Sequence, residues 1–157
     1  MKQYPIKIIV NGKSREISVT ADETLLDTLR SKLDVFEVKN GCEQGDCGAC
    51  TVLIEGIAVN SCLTLAIQAD GKEVTTVKGI GTDENPHPLQ ESFHKYGASQ
   101  CGFCTPGMIT SAKALLDENP NPSLNEIKNG ISGNFCRCTG YTKIFDAIES
   151  VTNENQS

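Results

Sequence analysis

Eight cysteines among 157 residues constrain this chain more than any other feature, because they fall into two groups of four. Cys42, Cys47, Cys50 and Cys62 are spaced C-x4-C-x2-C-x11-C, and Cys101, Cys104, Cys136 and Cys138 are spaced C-x2-C-x31-C-x-C. Four thiolates are the complement of one tetrahedral zinc ion or one iron–sulfur cluster. The stretch between the groups holds none, so two separate four-thiolate sites are the simplest partition. The opening stretch from Met1 to Val10 has an apolar run too short and too interrupted by charge for a signal peptide, and no run of 18 apolar residues occurs. A cytoplasmic chain is expected, and in a reducing compartment clustered thiols bind metal or do redox chemistry rather than form a disulfide framework.

The rest of the composition agrees. Lys and Arg number 14 against 20 Asp and Glu, a net charge of −6, which argues against a protein that tracks nucleic-acid phosphates. Aromatic residues make up 5% and there is no Trp, so large side chains supply little of the core and bound metal is expected to add cohesion.

Residues 1–78 read as an α+β unit. Ile6–Val10 and Glu16–Val19 flank Asn11-Gly12, a pair that favours the left-handed angles of a type I′ hairpin turn. Thr20 and Glu23 have the spacing of a capping box, and Leu25, Leu26, Leu29 and Leu33 follow at helical intervals. A cysteine-rich loop spans Gly41 to Cys50. Thr51–Ile54 and Ile57–Val59 around Glu55-Gly56 make a second hairpin, and Glu73–Val77 is a further β-rich run. Hairpins with one helix across a face predict a mixed sheet. Residues 79–87 are polar and rich in turn formers, and form the expected linker. Residues 88–157 carry four helical stripes: Leu89, Phe93 and Tyr96 behind Pro88, with Gly97 as a stop; Met108, Ala112, Leu115 and Leu116 ahead of Asn119-Pro120; a short helix capped by Ser123 and Glu126; and Tyr141, Ile144, Phe145, Ile148 and Val151. They predict a four-helix bundle with a frayed polar tail from Thr152.

The first cysteine group decides between iron and zinc. Its spacing is that of plant-type [2Fe–2S] ferredoxins. Gly41, Gly45 and Gly48 would let backbone N–H groups approach sulfur closely, and Cys62 would close the site from the sheet. Structural zinc sites more often show two paired knuckles. The second group is less diagnostic: Cys101-Gly102-Phe103-Cys104 also suits a zinc knuckle or a redox pair. Cys136-Arg137-Cys138 is a poor knuckle, and its two side chains could hold one iron or adjacent irons. Thr105-Pro106-Gly107 and Thr139-Gly140 lead into helices, which would put both cysteine pairs at helix N-termini, where N–H groups stabilise thiolate charge.

The stretch Gly41-Cys42-Glu43-Gln44-Gly45-Asp46-Cys47-Gly48-Ala49-Cys50-Thr51-Val52 resembles the first cluster loop of the molybdenum hydroxylases, the xanthine dehydrogenase family, with Asn60-Ser61-Cys62-Leu63 similar to its fourth-ligand segment. Gln100-Cys101-Gly102-Phe103-Cys104-Thr105-Pro106-Gly107-Met108 and Asn134-Phe135-Cys136-Arg137-Cys138-Thr139-Gly140-Tyr141 resemble its second cluster motifs. The resemblance implies a small iron–sulfur subunit with an N-terminal β-grasp, ferredoxin-like domain and a C-terminal four-helix-bundle domain, each holding a [2Fe–2S] cluster. It implies partner subunits carrying molybdopterin and FAD, and electrons running from the molybdopterin centre through the C-terminal cluster, then the N-terminal one, to FAD. By position, Gln100 and Cys138 match family residues that contact the pterin.

Within the chain itself no catalytic set is visible. His87, in the linker, and His94, on the polar side of the first bundle helix, are expected to be solvated, and no dinucleotide-binding fingerprint follows a strand. Substrate turnover is therefore expected on a partner subunit of a hetero-oligomer, without nucleic acid or membrane. General similarity favours an N-heteroaromatic substrate of the nicotinate or purine type. Arg137 could raise a cluster's potential or form a surface ion pair. A stand-alone two-cluster ferredoxin and a zinc-stabilised interaction module are the alternatives.

Overall fold

The computed structural model describes residues 2–154. Strands β1 (Tyr4–Val10) and β2 (Lys13–Val19) pair antiparallel around Asn11 and Gly12, whose φ values of 49° and 74° are those of the expected I′ turn. Ile6, Ile8 and Val10 alternate inward along β1 and are buried, as a half-covered strand requires. β3 (Thr51–Ile54) and β4 (Ile57–Asn60) form the second hairpin over Glu55-Gly56, and β5 (Glu73–Thr75) joins the two. The sheet order is β2-β1-β5-β3-β4, with β5 parallel to β1 and every other pairing antiparallel. Asn11 also exchanges two hydrogen bonds with Thr76, which ties the first turn to the end of β5.

The helix across the sheet begins later than the Thr20–Glu23 pair predicts. Glu23 does accept the Thr20 N–H, but the side chain that caps α1 (Leu25–Asp27) is Thr24, which accepts from Asp27 N at 3.1 Å. α1 then widens into a π-helical turn over Thr28–Lys32. Leu25, Leu26 and Leu29 face Ile8, Val10, Val52 and Val74, and Leu33 lies at the edge of that core.

The β-rich run that was expected to reach Val77 stops at Thr75. Val77–Ile80 is a short helix, α2, and Val77 and Ile80 pack against the helical core rather than the sheet. Four longer helices follow: α3 (Pro88–Lys95), α4 (Thr105–Glu118), α5 (Leu124–Gly130) and α6 (Thr142–Glu154). Each presents its expected stripe to one core, in which Leu89, Phe93, Met108, Ala112, Ile127, Ile144, Ile148 and Val151 are buried. Tyr96, read as part of the first stripe, is exposed at the end of α3. The Ser123–Glu126 capping box forms with both reciprocal bonds. The tail is not frayed from Thr152: α6 runs through Glu154 and Thr152 is buried, while residues 155–157 lie outside the described part.

α4 also lies against β3, so the helical bundle sits directly on the sheet. The approach is close enough that a Cβ on Gly107 would come within 2.3 Å of the Gly48 carbonyl oxygen. Glycine is needed there because nothing larger fits between two backbones at that distance.

Candidate metal centres

The first site hangs between α1 and β3. Its loop needs left-handed backbone at Glu43, Gly45 and Gly48, with φ of 56°, 86° and 66°. A Cβ on Gly48 would lie 2.3 Å from the Gly133 carbonyl, so sterics and φ both demand glycine. Cys50 and Cys62 are buried beside the ends of β3 and β4, held by Ser61, whose N–H and hydroxyl both donate to the Cys50 carbonyl. Cys42 and Cys47 are half-buried on the loop, and Cys47 N–H points at Cys42 Sγ at 3.4 Å.

The thiols meet two by two. Cys42 contacts Cys47, and Cys62 contacts Cys50. In the second group Cys138 Sγ lies 3.6 Å from Cys101 Sγ, and Cys104 contacts Cys136. The two pairs of each group also feel one another's charge, Cys42 acting on Cys62 and Cys101 on Cys104. Each group is therefore one site of two facing pairs. Among the described residues no three Cys, His, Asp or Glu side chains converge where a single ion would sit. Two facing pairs suit a core of two irons, each taking two thiolates, better than one tetrahedral zinc.

Local electrostatics favour a cationic core. The backbone N–H groups of Gln44 and Cys47 hold the Cys42 thiol down at about 6. Burial pushes Cys62 up to about 11 and Cys104 up to about 12, each reinforced by the neighbouring sulfur. Cys47 is raised by burial, and Cys138 by its contact with Cys101. Burial also acts to raise Cys136, but hydrogen bonds from Thr139 and a backbone N–H at Cys138 outweigh it and leave this thiol lowered. Four such thiols ionise together only when metal charge compensates them.

The second site is assembled from two distant segments. Cys101 follows the exposed Gln100, Gly102 turns the chain at φ 81°, and Cys104 immediately precedes α4 as expected. Cys136 and Cys138 do not sit at a helix start. Gly140 and Tyr141 take φ of 66° and 70°, so the chain turns before α6 begins at Thr142, and a hydrogen-bonded loop replaces the expected helix terminus. In that loop Thr139 donates to Cys136 Sγ from both its N–H, at 3.5 Å, and its hydroxyl, at 3.2 Å. Cys101, Cys138 and Arg137 are exposed, and Phe103 and Phe135 beside them are 48% and 57% exposed.

The two sites touch. Phe135 N–H donates to the Cys47 carbonyl at 2.9 Å, one residue from Cys136. The buried Asn134 side chain reaches the Gly48 carbonyl at 3.0 Å and Thr51 Oγ1 at 3.3 Å. Asn134, Thr139 and Tyr141 make hydrogen bonds around the thiols that cysteine spacing alone does not reveal, although all three lie within the stretch that resembles the second cluster motif. His94 is exposed as expected, whereas His87 is not a solvated linker residue. It caps α3, its Nδ1 accepting from Leu89 N at 3.2 Å.

A mixed sheet and a helical bundle, each with a two-by-two thiol site, define a two-cluster iron–sulfur protein. Residues 8–77 match the family described as 2Fe-2S iron-sulfur cluster binding domain, and residues 76–149 the family described as [2Fe-2S] binding domain. The chain is 48% identical to the nicotinate dehydrogenase small FeS subunit of Eubacterium barkeri, covering 94% of each chain. It is 50% identical to the nicotine 6-hydroxylase small subunit of Paenarthrobacter nicotinovorans, over 91% of this chain and 86% of the other. It superimposes on a chain of quinoline 2-oxidoreductase from Pseudomonas putida 86 with a TM-score of 0.93 and 45% identity, covering 99% of this chain and 98% of that one. The chain belongs to the small [2Fe–2S] subunits of the molybdenum hydroxylase family.

Proposed function

We propose that the chain relays electrons within a molybdenum hydroxylase, from a molybdopterin centre on a large subunit to FAD on a medium subunit. Each [2Fe–2S] cluster, when bound, takes up and releases one electron at a time, so two in series divide a two-electron oxidation. Cys42, Cys47, Cys50 and Cys62 would hold the first cluster and Cys101, Cys104, Cys136 and Cys138 the second. The facing pairs support a reading in which Cys42 with Cys47, Cys50 with Cys62, Cys101 with Cys138 and Cys104 with Cys136 would each share one iron. On that assignment Cys136 and Cys138 bind adjacent irons rather than the same one.

The observation that carries the relay is the hydrogen bond from Phe135 N to the Cys47 carbonyl, which joins a residue next to one ligand directly to a ligand of the other site. Asn134 holds the two loops in that register. The outer edge of the second site, where Gln100, Cys101 and Cys138 are exposed, is the surface we assign to the molybdopterin subunit, with Gln100 and Cys138 as pterin contacts. The exposed apolar rings of Phe103 and Phe135 suit a permanent interface better than the transient docking of a free ferredoxin. The substrate of the assembly is proposed to be an N-heteroaromatic of the nicotinate or purine type, on the strength of the similarity to the nicotinate dehydrogenase and nicotine hydroxylase small subunits.

Purification of the native assembly tests this reading. Molybdenum and flavin should co-purify with the chain, and exhaustive reduction should give two paramagnetic species. Addition of nicotinate or a purine should bleach the visible iron–sulfur absorbance before an external acceptor restores it. Isolation of the chain as a monomer with both clusters, free of flavin and molybdenum, would favour a stand-alone ferredoxin instead.

A further inference from the structure

We propose that Thr139 raises the reduction potential of the second cluster through its hydroxyl, whose single proton is committed to Cys136 Sγ. The inference rests on the reading of Cys136 as a cluster ligand. Thr139 Oγ1 lies 3.2 Å from Cys136 Sγ and accepts the Tyr141 N–H at 3.1 Å. A threonine hydroxyl has one proton and two lone pairs, so with the peptide N–H on a lone pair the proton is left for sulfur. Tyr141 closes the circuit, because its phenolic oxygen accepts the Cys136 N–H at 2.9 Å. Three hydrogen bonds therefore link Cys136, Tyr141 and Thr139 in a ring; two start from peptide N–H groups, which can only donate, so the threonine hydroxyl is the one donor whose direction the ring sets. The left-handed backbone of Gly140 and Tyr141 is what folds the chain back far enough for the ring to close.

Among the described residues the first site has no counterpart. Its nearby hydroxyls all donate to carbonyl oxygens: Thr51 to Gly48 at 2.7 Å, Ser61 to Cys50 at 2.8 Å and Thr64 to Asn60 at 3.1 Å. The hydrogen bonds recorded at the Cys42 thiol come instead from backbone N–H groups and Cys47. Reduction adds one electron to a cluster and places more negative charge on its thiolate sulfurs. A donor fixed on one of them stabilises the reduced form more than the oxidised form. No proton moves; the hydroxyl keeps its hydrogen in both states.

The test is a redox titration of the assembled protein, reading the two paramagnetic signals separately in wild type, Thr139→Val, Thr139→Ser and Cys136→Ser. Thr139→Val should shift the reduction equilibrium of the second cluster about tenfold toward the oxidised form, about 59 mV for a one-electron couple. The first cluster should not move, and Thr139→Ser should titrate like wild type. An unshifted second signal in Thr139→Val, or an equal shift of both signals, overturns the proposal. Should Thr139→Val fail to load the second cluster, Thr139→Ala against Thr139→Ser makes the same comparison. Should Thr139→Ala also fail, proton double resonance on reduced wild-type protein in H2O and D2O must show an exchangeable proton coupled to the second cluster beyond the one expected from the Thr139 N–H, and its absence refutes the idea. Cys136→Ser separates the two claims. If it leaves the second signal unaltered, the ligand assignment is wrong; if it abolishes that signal while Thr139→Val shifts nothing, only the role of Thr139 falls.

Discussion

Three of the four cysteines of the first site lie on one glycine-bearing loop between Gly41 and Cys50, whereas the second site gathers its four from segments separated by a 31-residue gap. The first depends on backbone angles that only a few residue types adopt, at Gly45 and Gly48. The second depends on the packing of α3 to α6, which brings Cys101 and Cys104 to Cys136 and Cys138. The first buries two of its cysteines behind the sheet; the second leaves two at the surface. A site made by a loop is weakened by local strain, and one made by packing is weakened by anything that loosens the core, wherever in the core it lies.

The largest expected effect tests whether the sites are independent. Cys62→Ser should cost the protein half its iron and the first paramagnetic signal while the second survives; loss of both would show that the helical site cannot load unless the sheet site is filled. Ile148→Ala, fully buried in α6, should destabilise the bundle by about 2–5 kcal/mol, read as a lowered denaturation midpoint. The second signal should disappear at lower denaturant than the first, and simultaneous loss would erase the distinction between loop and packing. Gly48→Ala should cost about 2–3 kcal/mol through strain at positive φ and collision with Gly133. Gly12→Ala, also at positive φ but with open space around it, should cost about 1 kcal/mol. Equal losses in those two variants would mean that the contact across the sites contributes nothing.

The smallest effect is a pH dependence in the helical half. Burial, with Lys113 nearby and against the opposing pull of Asp117, holds His87 below its ordinary value of 6.5, and its neutral Nδ1 accepts the Leu89 N–H. A depressed folded-state value means that the unfolded chain binds the proton first. The contribution of this cap is therefore full above about pH 6.5 and is lost as pH falls through the lower folded value. Asn can cap without titrating, so denaturant midpoints of His87→Asn should vary less over that window than those of wild type. An unchanged slope would place the dependence elsewhere.

Much of the sheet half was legible because its signals are local. Asn11-Gly12 demands one turn type, and Ile6, Ile8 and Val10 at period two demand one buried face. The apolar stripes of α3 to α6 were legible for the same reason. Three readings failed where a neighbouring element competes for the same residues. Thr24 took the capping role from Thr20, Val77 left the sheet for a helix packed on the bundle, and His87 became a cap instead of a solvated linker residue.

By itself the sequence determined how many thiol groups there are, which four cysteines belong to each, and the loop that carries Cys42, Cys47 and Cys50, since spacing, period and turn chemistry act over a few residues; it misplaced Cys136 and Cys138 at a helix start. Only the tertiary structure decided how the sulfurs face one another in pairs, that Phe135 and Asn134 join the two loops, and that the Thr139 hydroxyl points at Cys136. Those features depend on a hydrogen bond's direction or on a few tenths of an ångström between backbones, and both emerge only once the helices have packed onto the sheet.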